Sequence, residues 1–365
     1  MTHSGQRQNL DNAATTPVDD RVVKAMIPYF SYRSANPDSS SKEGRKAMKD
    51  IEEASAVISE TTGCGEDVLF TSGASESNNW VVSCFAGEKR GVACGATEHA
   101  SVYAPVVKAG GSVIKVLPSG GIDMDSLSDI LKKGVGLVSV QAVNQETGAE
   151  QDTAEIRRMC MEHGALYHCD ASQWFGKSRK RVFADFVTVS AHKIHGPKGI
   201  GALICEDSSK ITPMILGGGQ QGGLRAGTLN PALIVGFAKA CQLVYESLES
   251  GDFWRNKITK TVEEFSFYDG ISVNTPDDPA AFFLNFSVPS KAPEVISLMS
   301  KDLGIVLSRG SACGDSPRVL REMGKTPSVC DNSIRVSMGR NNRKDALDSF
   351  AHLIRACHKK AEEMP

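Results

Sequence analysis

The 365-residue sequence has no long apolar run and no marked surplus of either charge. No apolar stretch approaches the roughly 20 residues that cross a bilayer, so we expect no membrane association. The N-terminus, MTHSGQRQNLDNAATTP, has no apolar signal core, so we expect a cytoplasmic protein, with an organelle left open. The 41 Lys and Arg residues nearly balance 43 Asp and Glu, which gives no reason to expect direct nucleic-acid binding.

Paired cysteine motifs are also missing, because the ten cysteines are scattered and none forms a CxxC pair. We therefore expect reduced thiols, with neither a disulfide framework nor a metal site. Cys313 differs from the others because small residues flank it in the segment SRGSACGD. Nearby Arg309 would favour its thiolate, so a reactive cysteine is one interpretation and a structural cysteine is the other.

What the sequence does contain is an alternation of β-prone runs and helical patterns. The pattern predicts strands at 68–71, 91–94, 112–117, 137–143, 166–169, 186–190 and 201–205. It predicts helices at 21–30, 42–61, 152–163 and 230–250. This alternation is typical of an α/β fold with a mostly parallel seven-stranded sheet covered by helices. Ligands of such folds bind beyond the carboxyl ends of the strands.

The pattern changes after about residue 253. Strands are predicted at 282–288, 305–307 and 334–337, with a helix at 293–303 and a last helix to the C-terminus. We expect a large domain over residues 1–255 and a smaller α+β domain over 256–365. The N-terminal segment is expected to contribute to the smaller domain.

The segment around Lys193, SAHKIHGPKGIG, follows an apolar strand and turns at its glycines. Lysine is costly to bury unless it is paired or deprotonated. One interpretation is a solvated surface turn. The other is a lysine that forms a Schiff base with a carbonyl cofactor.

Two further segments are candidates for binding a phosphate group. FTSGASES, at 70–77, is a strand end, a glycine turn and a helix start, where N–H groups and hydroxyls favour an anion. An ordinary serine-capped helix is the alternative. The glycine-dense GGGQQGGLRAGT, at 217–228, is interpreted as a phosphate-facing loop rather than a flexible linker.

Four polar residues lie within predicted strands or in the segments that follow them. Asp170 would need a cationic partner, such as the pyridinium of pyridoxal phosphate, unless it caps a turn. His99 could stack on an aromatic cofactor and carry protons as a catalytic residue, or simply begin a helix. Asn144 could donate to a phenolate or carboxylate or close its turn. Arg335 suits an amino-acid carboxylate or an internal salt bridge.

In their order and residue sequence, these motifs resemble those of the cysteine desulfurases of the NifS/IscS type, which are fold-type I pyridoxal phosphate enzymes of the class V aminotransferase family. Eight ordered motifs carry the resemblance: FTSGASESNN, TEH, VNQETG, HCDASQ, SAHKIHGPKGIGAL, GGGQQGGLRAGT, SRGSAC and SIRVSMGR. The resemblance begins at LDNAATTPV and covers almost the whole chain.

The resemblance implies a role for each cofactor-binding residue. Lys193 would hold pyridoxal phosphate, with Asp170 facing the pyridine nitrogen, Gln173 the phenolic oxygen and His99 stacked on the ring. The phosphate would be bound by Ala74, Ser75, Ser190 and His192, with Thr228 donated by the second subunit of a homodimer.

It also implies the reaction. Asn144 and Arg335 would hold the carboxylate of L-cysteine, and Cys313 would take its sulfur as a persulfide while L-alanine leaves. A protein acceptor would then receive the sulfur for iron–sulfur cluster, thio-cofactor or tRNA biosynthesis. A selenocysteine lyase, an aminotransferase-like enzyme and a non-catalytic sulfur-relay partner are the alternatives. The chain departs from the family in its short segment after Cys313, where five residues precede Val319.

Overall fold

The computed structural model describes residues 8–288, 294–295, 297–298, 301, 304–308 and 318–362. Its strands in chain order are β1 (Gln8–Asn9), β2 (Asp67–Thr71), β3 (Val92–Gly95), β4 (Ser112–Ile114), β5 (Leu137–Ser139), β6 (Leu166–Asp170), β7 (Phe186–Ser190), β8 (Gly201–Cys205), β9 (Ser272–Val273), β10 (Phe283–Ser287), β11 (Ile305–Val306) and β12 (Ser333–Ser337).

The described helices of five or more residues are α1 (Asp20–Met26), α2 (Lys42–Thr62), α3 (Ala74–Ala86), α4 (Ala100–Lys108), α5 (Met124–Lys132), α6 (Thr153–Glu162), α7 (Pro231–Gln242), α8 (Val244–Phe265), α9 (Arg318–Glu322), α10 (Pro327–Asp331) and α11 (Ala346–Glu362). None of the helices in the described part of the chain is long and apolar enough to span a bilayer.

The predicted seven-stranded sheet is present, in the order β2-β8-β7-β6-β5-β3-β4. Strand β8 runs antiparallel to both of its neighbours, and the remaining neighbours pair in parallel. The α/β prediction with a mostly parallel sheet is therefore confirmed. Strands β4 and β5 are shorter than predicted, although Val140 and Ala142 still donate backbone hydrogen bonds to the segment of β6.

Helices cover both faces of this sheet because successive strand residues point to opposite sides. On β7, Phe186 packs with Trp80 and Phe85 of α3, whereas Val187 packs in the cluster that holds Ile58 of α2 and Phe237 of α7. Both faces of the strand are thus buried, as its run of apolar residues indicates.

Capping residues mark the start and the end of α2. Ser41 accepts a hydrogen bond from the N–H of Gly44 at the start of α2, and Gly63 ends that helix with φ of 61°.

The predicted helix at 21–30 is α1 followed by a short 3-10 turn over Ile27–Phe30. Pro28 lies in that turn, and proline has no N–H for the α-helical pattern.

The prediction of one continuous helix over 230–250 is wrong, because the helix is interrupted at Leu243. Helix α7 ends at Gln242, and α8 begins again at Val244 and continues to Phe265. Leu243 between them has φ of −97° and ψ of 1°, which lies outside the α-helical region. The apolar pattern runs through this position unchanged, so the sequence carries no signal for the break.

A second, smaller core lies around the antiparallel sheet β12-β10-β9. Trp254, Phe265, Phe286 and Phe350 pack there, and the parallel pair β1-β11 brings Leu10 into the same cluster. The N-terminal segment therefore contributes to this core. Helix α8 runs through the expected boundary at 255, so the division into domains there stays a prediction. The predicted helix at 293–303 lies largely outside the described residues.

Gly201 at the start of β8 permits a close approach to the turn before α3. A Cβ on Gly201 would lie 2.8 Å from the Cα of Gly73 and 2.8 Å from the carbonyl oxygen of Val189. We expect Gly201→Ala to lower the free energy of unfolding of the cofactor-free protein by about 1–3 kcal/mol, measured by urea denaturation. Gly87→Ala, where a Cβ meets nothing within 4 Å, is the control and should change it little. An equal loss of unfolding free energy in the two variants would contradict the close packing of Gly201 against Gly73.

Candidate active site

A cavity of about 500 Å³ lies at the carboxyl ends of β6 and β7 and the start of α3. Eight of the predicted site residues line it: Ala74, Ser75, His99, Asp170, Gln173, Ser190, His192 and Lys193. The sheet explains this gathering, because parallel strands end at the same edge. Asp170 ends β6 and Ser190 ends the neighbouring β7.

Asp170 is buried in the cavity wall and is 6% exposed. Its Oδ2 accepts a hydrogen bond of 2.8 Å from the Asn78 side-chain amide, and its Oδ1 accepts one of 2.9 Å from the backbone N–H of Ser172. Both donors are neutral. A buried carboxylate is stabilised further by a cation, and a cationic ring nitrogen in the cavity would supply it.

Lys193 follows β7 in a short 3-10 turn and reaches into the cavity wall. Its amine donates hydrogen bonds to the carbonyl oxygens of Ala13 and Ala14, the latter at 3.0 Å. The side chain is half-buried, which differs from a solvated lysine on a surface turn. The LDNAATTPV segment thus provides the groups that hold this amine.

The N-terminus of α3 forms another part of the wall. Its N-cap residue, Gly73, provides no side-chain hydrogen bond, so the helix start is not a serine-capped one. The first N–H groups of an α-helix have no partners within the helix and suit an anion. Ala74 and Ser75 bring these groups to the cavity, where Ser190 and His192 also lie.

His99 is both a cavity residue and the N-cap of α4. Its Nδ1 accepts a hydrogen bond of 3.2 Å from the N–H of Ser101 and lies 2.8 Å from the Ser101 hydroxyl. Burial lowers the pKa of this imidazole, and the positive charge of Lys193 adds to that effect. A neutral, flat aromatic ring therefore faces the cavity.

Asn144 and Arg335 are not among the residues that line the cavity. The Asn144 oxygen accepts from the N–H groups of Glu146 and Thr147, which closes the turn, and its amide donates to Thr97. Arg335, which is 2% exposed, forms an ion pair of 2.7 Å with Asp11. Both residues therefore take the structural role that the sequence left open, and substrate binding by them stays a prediction.

Thr228 is also absent from the lining of the described cavity. Thr228 is exposed, and Arg225 of the same glycine-dense loop forms an ion pair of 2.9 Å with Glu76 in the first turn of α3. Cys313 lies outside the described residues.

Sequence reasoning missed three parts of the site. Asn78 supports Asp170, Lys177 contacts Gln173, and the carbonyl groups of Ala13 and Ala14 hold Lys193. Asn78 and Ala13 lie within quoted motifs, FTSGASESNN and LDNAATTPV, which were the available signals. The motif sequences do not indicate these pairings. The contacts of Asn78 and of Ala13 and Ala14 join residues far apart in the chain, and Lys177 lies just after the motif that contains Gln173.

The residues present fit pyridoxal phosphate. One part of the wall has helix N–H groups and hydroxyls for a phosphate, and another has a buried carboxylate with neutral partners for the ring nitrogen. A lysine amine and an imidazole ring complete the set. These are the groups by which a protein orients this cofactor and tunes its electronics.

The cavity keeps His192 uncharged at neutral pH. Burial, reinforced by Lys193 and Lys198, lowers the pKa of its imidazole to about 4, whereas an unfolded histidine titrates near 6.5. Between these values the unfolded chain binds more protons, so stability falls as pH drops from 6.5 to 4. We expect His192→Gln to reduce that loss, measured by urea unfolding of the cofactor-free protein across this pH range. An unchanged pH slope in the variant would contradict the low pKa of His192.

Comparison with known proteins identifies the family of this chain. The family model described as Aminotransferase class-V matches residues 8–350. "Cysteine desulfurase IscS" from Rickettsia peacockii (strain Rustic) is 34% identical over 373 residues, covering 94% of this chain and 89% of the relative.

Two solved structures are similar over most of the chain. A NifS-like protein has a TM-score of 0.87 and 29% identity, covering 98% of this chain and 100% of its own. A structure described as "SspA in complex with cysteine" has a TM-score of 0.78 and 29% identity, covering 92% of this chain and 100% of its own. The chain therefore belongs to the class-V aminotransferase family and, within it, to the NifS- and IscS-like cysteine desulfurases.

Proposed function

We propose that this chain is a pyridoxal-phosphate-dependent cysteine desulfurase that converts L-cysteine to L-alanine and retains the sulfur on Cys313. The observation that carries the proposal is the single cavity shared by Lys193, Asp170 and His99. It occurs in a chain 34% identical to a cysteine desulfurase over 94% of its length. A solved relative described as complexed with cysteine supports the same substrate.

The phosphate group would lie at the start of α3. The N–H groups of Ala74 and Ser75 would donate to it, together with the Ser190 hydroxyl and His192. The helix dipole adds favourable electrostatics at this end. Because His192 is uncharged at neutral pH, it would act as a hydrogen-bond partner rather than as a counter-ion.

The ring would lie between Asp170 and His99. The Asp170 carboxylate, held by Asn78 and Ser172, would keep the ring nitrogen protonated. His99 would stack on the ring as a neutral imidazole, and Gln173 would donate to the phenolic oxygen. When bound, pyridoxal phosphate supplies an electron sink for the electron pair left on the substrate α-carbon.

Lys193 has two tasks in this proposal. It anchors the cofactor, and its amine then moves the α-proton of the substrate. The carbonyl groups of Ala13 and Ala14 hold the amine at the cavity wall and so restrict the positions from which it can act. Orienting a base in this way lowers the entropic part of the barrier.

Cys313 would be the nucleophile. Its thiolate attacks the substrate sulfur, the substrate Cβ–S bond breaks and a Cys313–sulfur bond forms, so that cysteine and a thiol become alanine and a persulfide. This role rests on the sequence, where small residues and Arg309 surround the thiol. The short segment after Cys313 would require a protein acceptor to dock close to the cavity.

The substrate carboxylate would be held by Arg335 and Asn144. Arg335 donates a hydrogen bond of 3.0 Å to the carbonyl oxygen of Gln145, a residue of the cavity wall, so its guanidinium lies directly behind the site. Binding of a carboxylate would exchange the pairing with Asp11 for one with the substrate. A bidentate guanidinium suits that exchange.

We further propose a homodimer in which Thr228 of one subunit completes the phosphate site of the other. Exposed apolar side chains on two neighbouring loops support this, namely Phe30 and Tyr32 on one and Leu216 on the other. A hydrogen bond of 2.8 Å between Gln220 and Asp38 joins these loops. Apolar groups exposed together in this way mark an interface.

The sulfur would pass in the cytoplasm to a protein acceptor for iron–sulfur cluster assembly or for thio-cofactor or tRNA biosynthesis. A selenocysteine lyase would use the same residues, and the ratio of rates on cysteine and selenocysteine separates the two activities. An aminotransferase would form a keto acid without any need for Cys313.

The test is the formation of alanine from L-cysteine by wild type and by Cys313→Ala. We expect the variant to bind pyridoxal phosphate normally, with the wild-type visible spectrum, and to lose at least about 10³-fold in alanine formation, because the nucleophile is missing. Cys84→Ala is the control, since Cys84 lies on α3, forms its hydrogen bonds with Thr212 and does not line the cavity. Alanine formation that is indifferent to Cys313 would refute the proposed nucleophile.

A further inference from the structure

A second lysine lies behind the cavity. Lys177, four residues beyond Gln173, is only 7% exposed. No carboxylate forms an ion pair with it within the part of the chain that the structure describes. Its amine donates a hydrogen bond to the Gln173 side-chain oxygen and lies 5.4 Å from the centre of the Phe283 ring. The reaction as proposed above makes no use of this amine.

Burying the Lys177 amine at this position costs free energy. Burial lowers the pKa of Lys177 well below its usual range, and the positive charges of Lys193 and Arg335 lower it further. An apolar side chain of similar length would avoid the desolvation cost. What distinguishes lysine here from such a side chain is the hydrogen bond to Gln173.

Gln173 has a donor end and an acceptor end, and both are used. Its Oε1 accepts from Lys177, while its Nε2 donates a hydrogen bond of 2.9 Å to the carbonyl oxygen of Ala13. The same carbonyl accepts from Lys193. Lys177 and Lys193 are therefore joined through Gln173 and Ala13.

This arrangement allows one orientation of the Gln173 amide. Turning it over would place Oε1 against the carbonyl oxygen of Ala13 and Nε2 against the Lys177 amine. The first contact brings two acceptors together, and the second removes the hydrogen bond to Oε1. The amide has two N–H bonds, so one remains for the cavity when the other is donated to Ala13.

We propose that Lys177 is a positioning residue that holds the Gln173 amide with its N–H₂ group, and not its oxygen, towards the phenolic oxygen of the cofactor. The inference rests on the proposed role of Gln173 at that oxygen. An N–H donor stabilises negative charge on the phenolic oxygen, whereas an amide oxygen in its place would repel it. Lys177 thus acts on the cofactor through Gln173 and does not touch it.

The test is a double-mutant cycle on cofactor binding, with Lys177→Met, Gln173→Leu and the double variant. The dissociation constant of pyridoxal phosphate is measured by equilibrium dialysis, and the pH dependence of its visible absorption is recorded for each protein. We expect Lys177→Met to weaken binding about tenfold in the wild-type background. In the Gln173→Leu background the same substitution should change binding less than about twofold, because its effect acts through Gln173.

The pH titration adds a signature that a purely structural role would not give. With less donation to the phenolic oxygen, the visible band of the Lys177→Met holoprotein should titrate at a higher pH than that of wild type. Lys177→Gln, which keeps a donor for the Gln173 oxygen, should restore part of both properties. Lys210→Met, on an exposed lysine, is the control and should match wild type.

Equal weakening by Lys177→Met in both backgrounds would overturn the inference, and so would no weakening in wild type. If Lys177→Met fails to fold, which urea unfolding of the cofactor-free proteins reports, Lys177→Gln takes its place in the cycle. The readout is cofactor binding and not alanine formation. A protein that binds pyridoxal phosphate but makes no alanine would therefore refute the proposed function while leaving this cycle measurable.

Discussion

The parallel pairing of β6 with β7 is the constraint on which the site depends. Cys169 lies opposite Val187 and Asp170 opposite Thr188, so the two strands end at the same edge of the sheet. Asp170 and the turn that carries Lys193 are therefore neighbours, although 22 residues of chain lie between Asp170 and Lys193. Beyond β7, the antiparallel β8 begins at Gly201, which packs on Gly73 and so brings the start of α3 to the same edge.

The N-terminal segment connects this edge to the smaller core. Leu10 packs in the smaller core, Asp11 pairs with Arg335, and the carbonyl groups of Ala13 and Ala14 hold Lys193. A shift of the smaller core would therefore displace the carbonyl groups that hold the Lys193 amine. It would also displace Arg335, the residue proposed to bind the substrate carboxylate. In the proposed reaction, binding of the substrate carboxylate at Arg335 would therefore affect the position of Lys193 through residues 11–14.

Much of the large sheet follows from the sequence because its strands are short apolar runs that end at glycines or polar residues, as β7 and β8 do. Eight cavity residues follow because they lie at strand ends or in the turns after them. Side-chain pairings between different segments of the chain cannot be predicted from the sequence in this way. Arg335 pairs with Asp11 at a separation of 324 residues. Lys177 and Gln173 are only four residues apart, but the sequence does not indicate that both side chains are buried and hydrogen-bonded to each other. The break at Leu243 interrupts an unbroken helical pattern, so only packing reveals it.

The central claim is that Lys193, and not the buried Lys177, carries the cofactor. Its most direct measurement is reduction of the cofactor-loaded protein with borohydride, which makes a lysine–cofactor bond permanent, followed by proteolysis and mass spectrometry of the peptides. The account predicts one pyridoxyl group per chain, on Lys193. A pyridoxyl group on Lys177, or no modified lysine in a protein that retains its visible band, would contradict it.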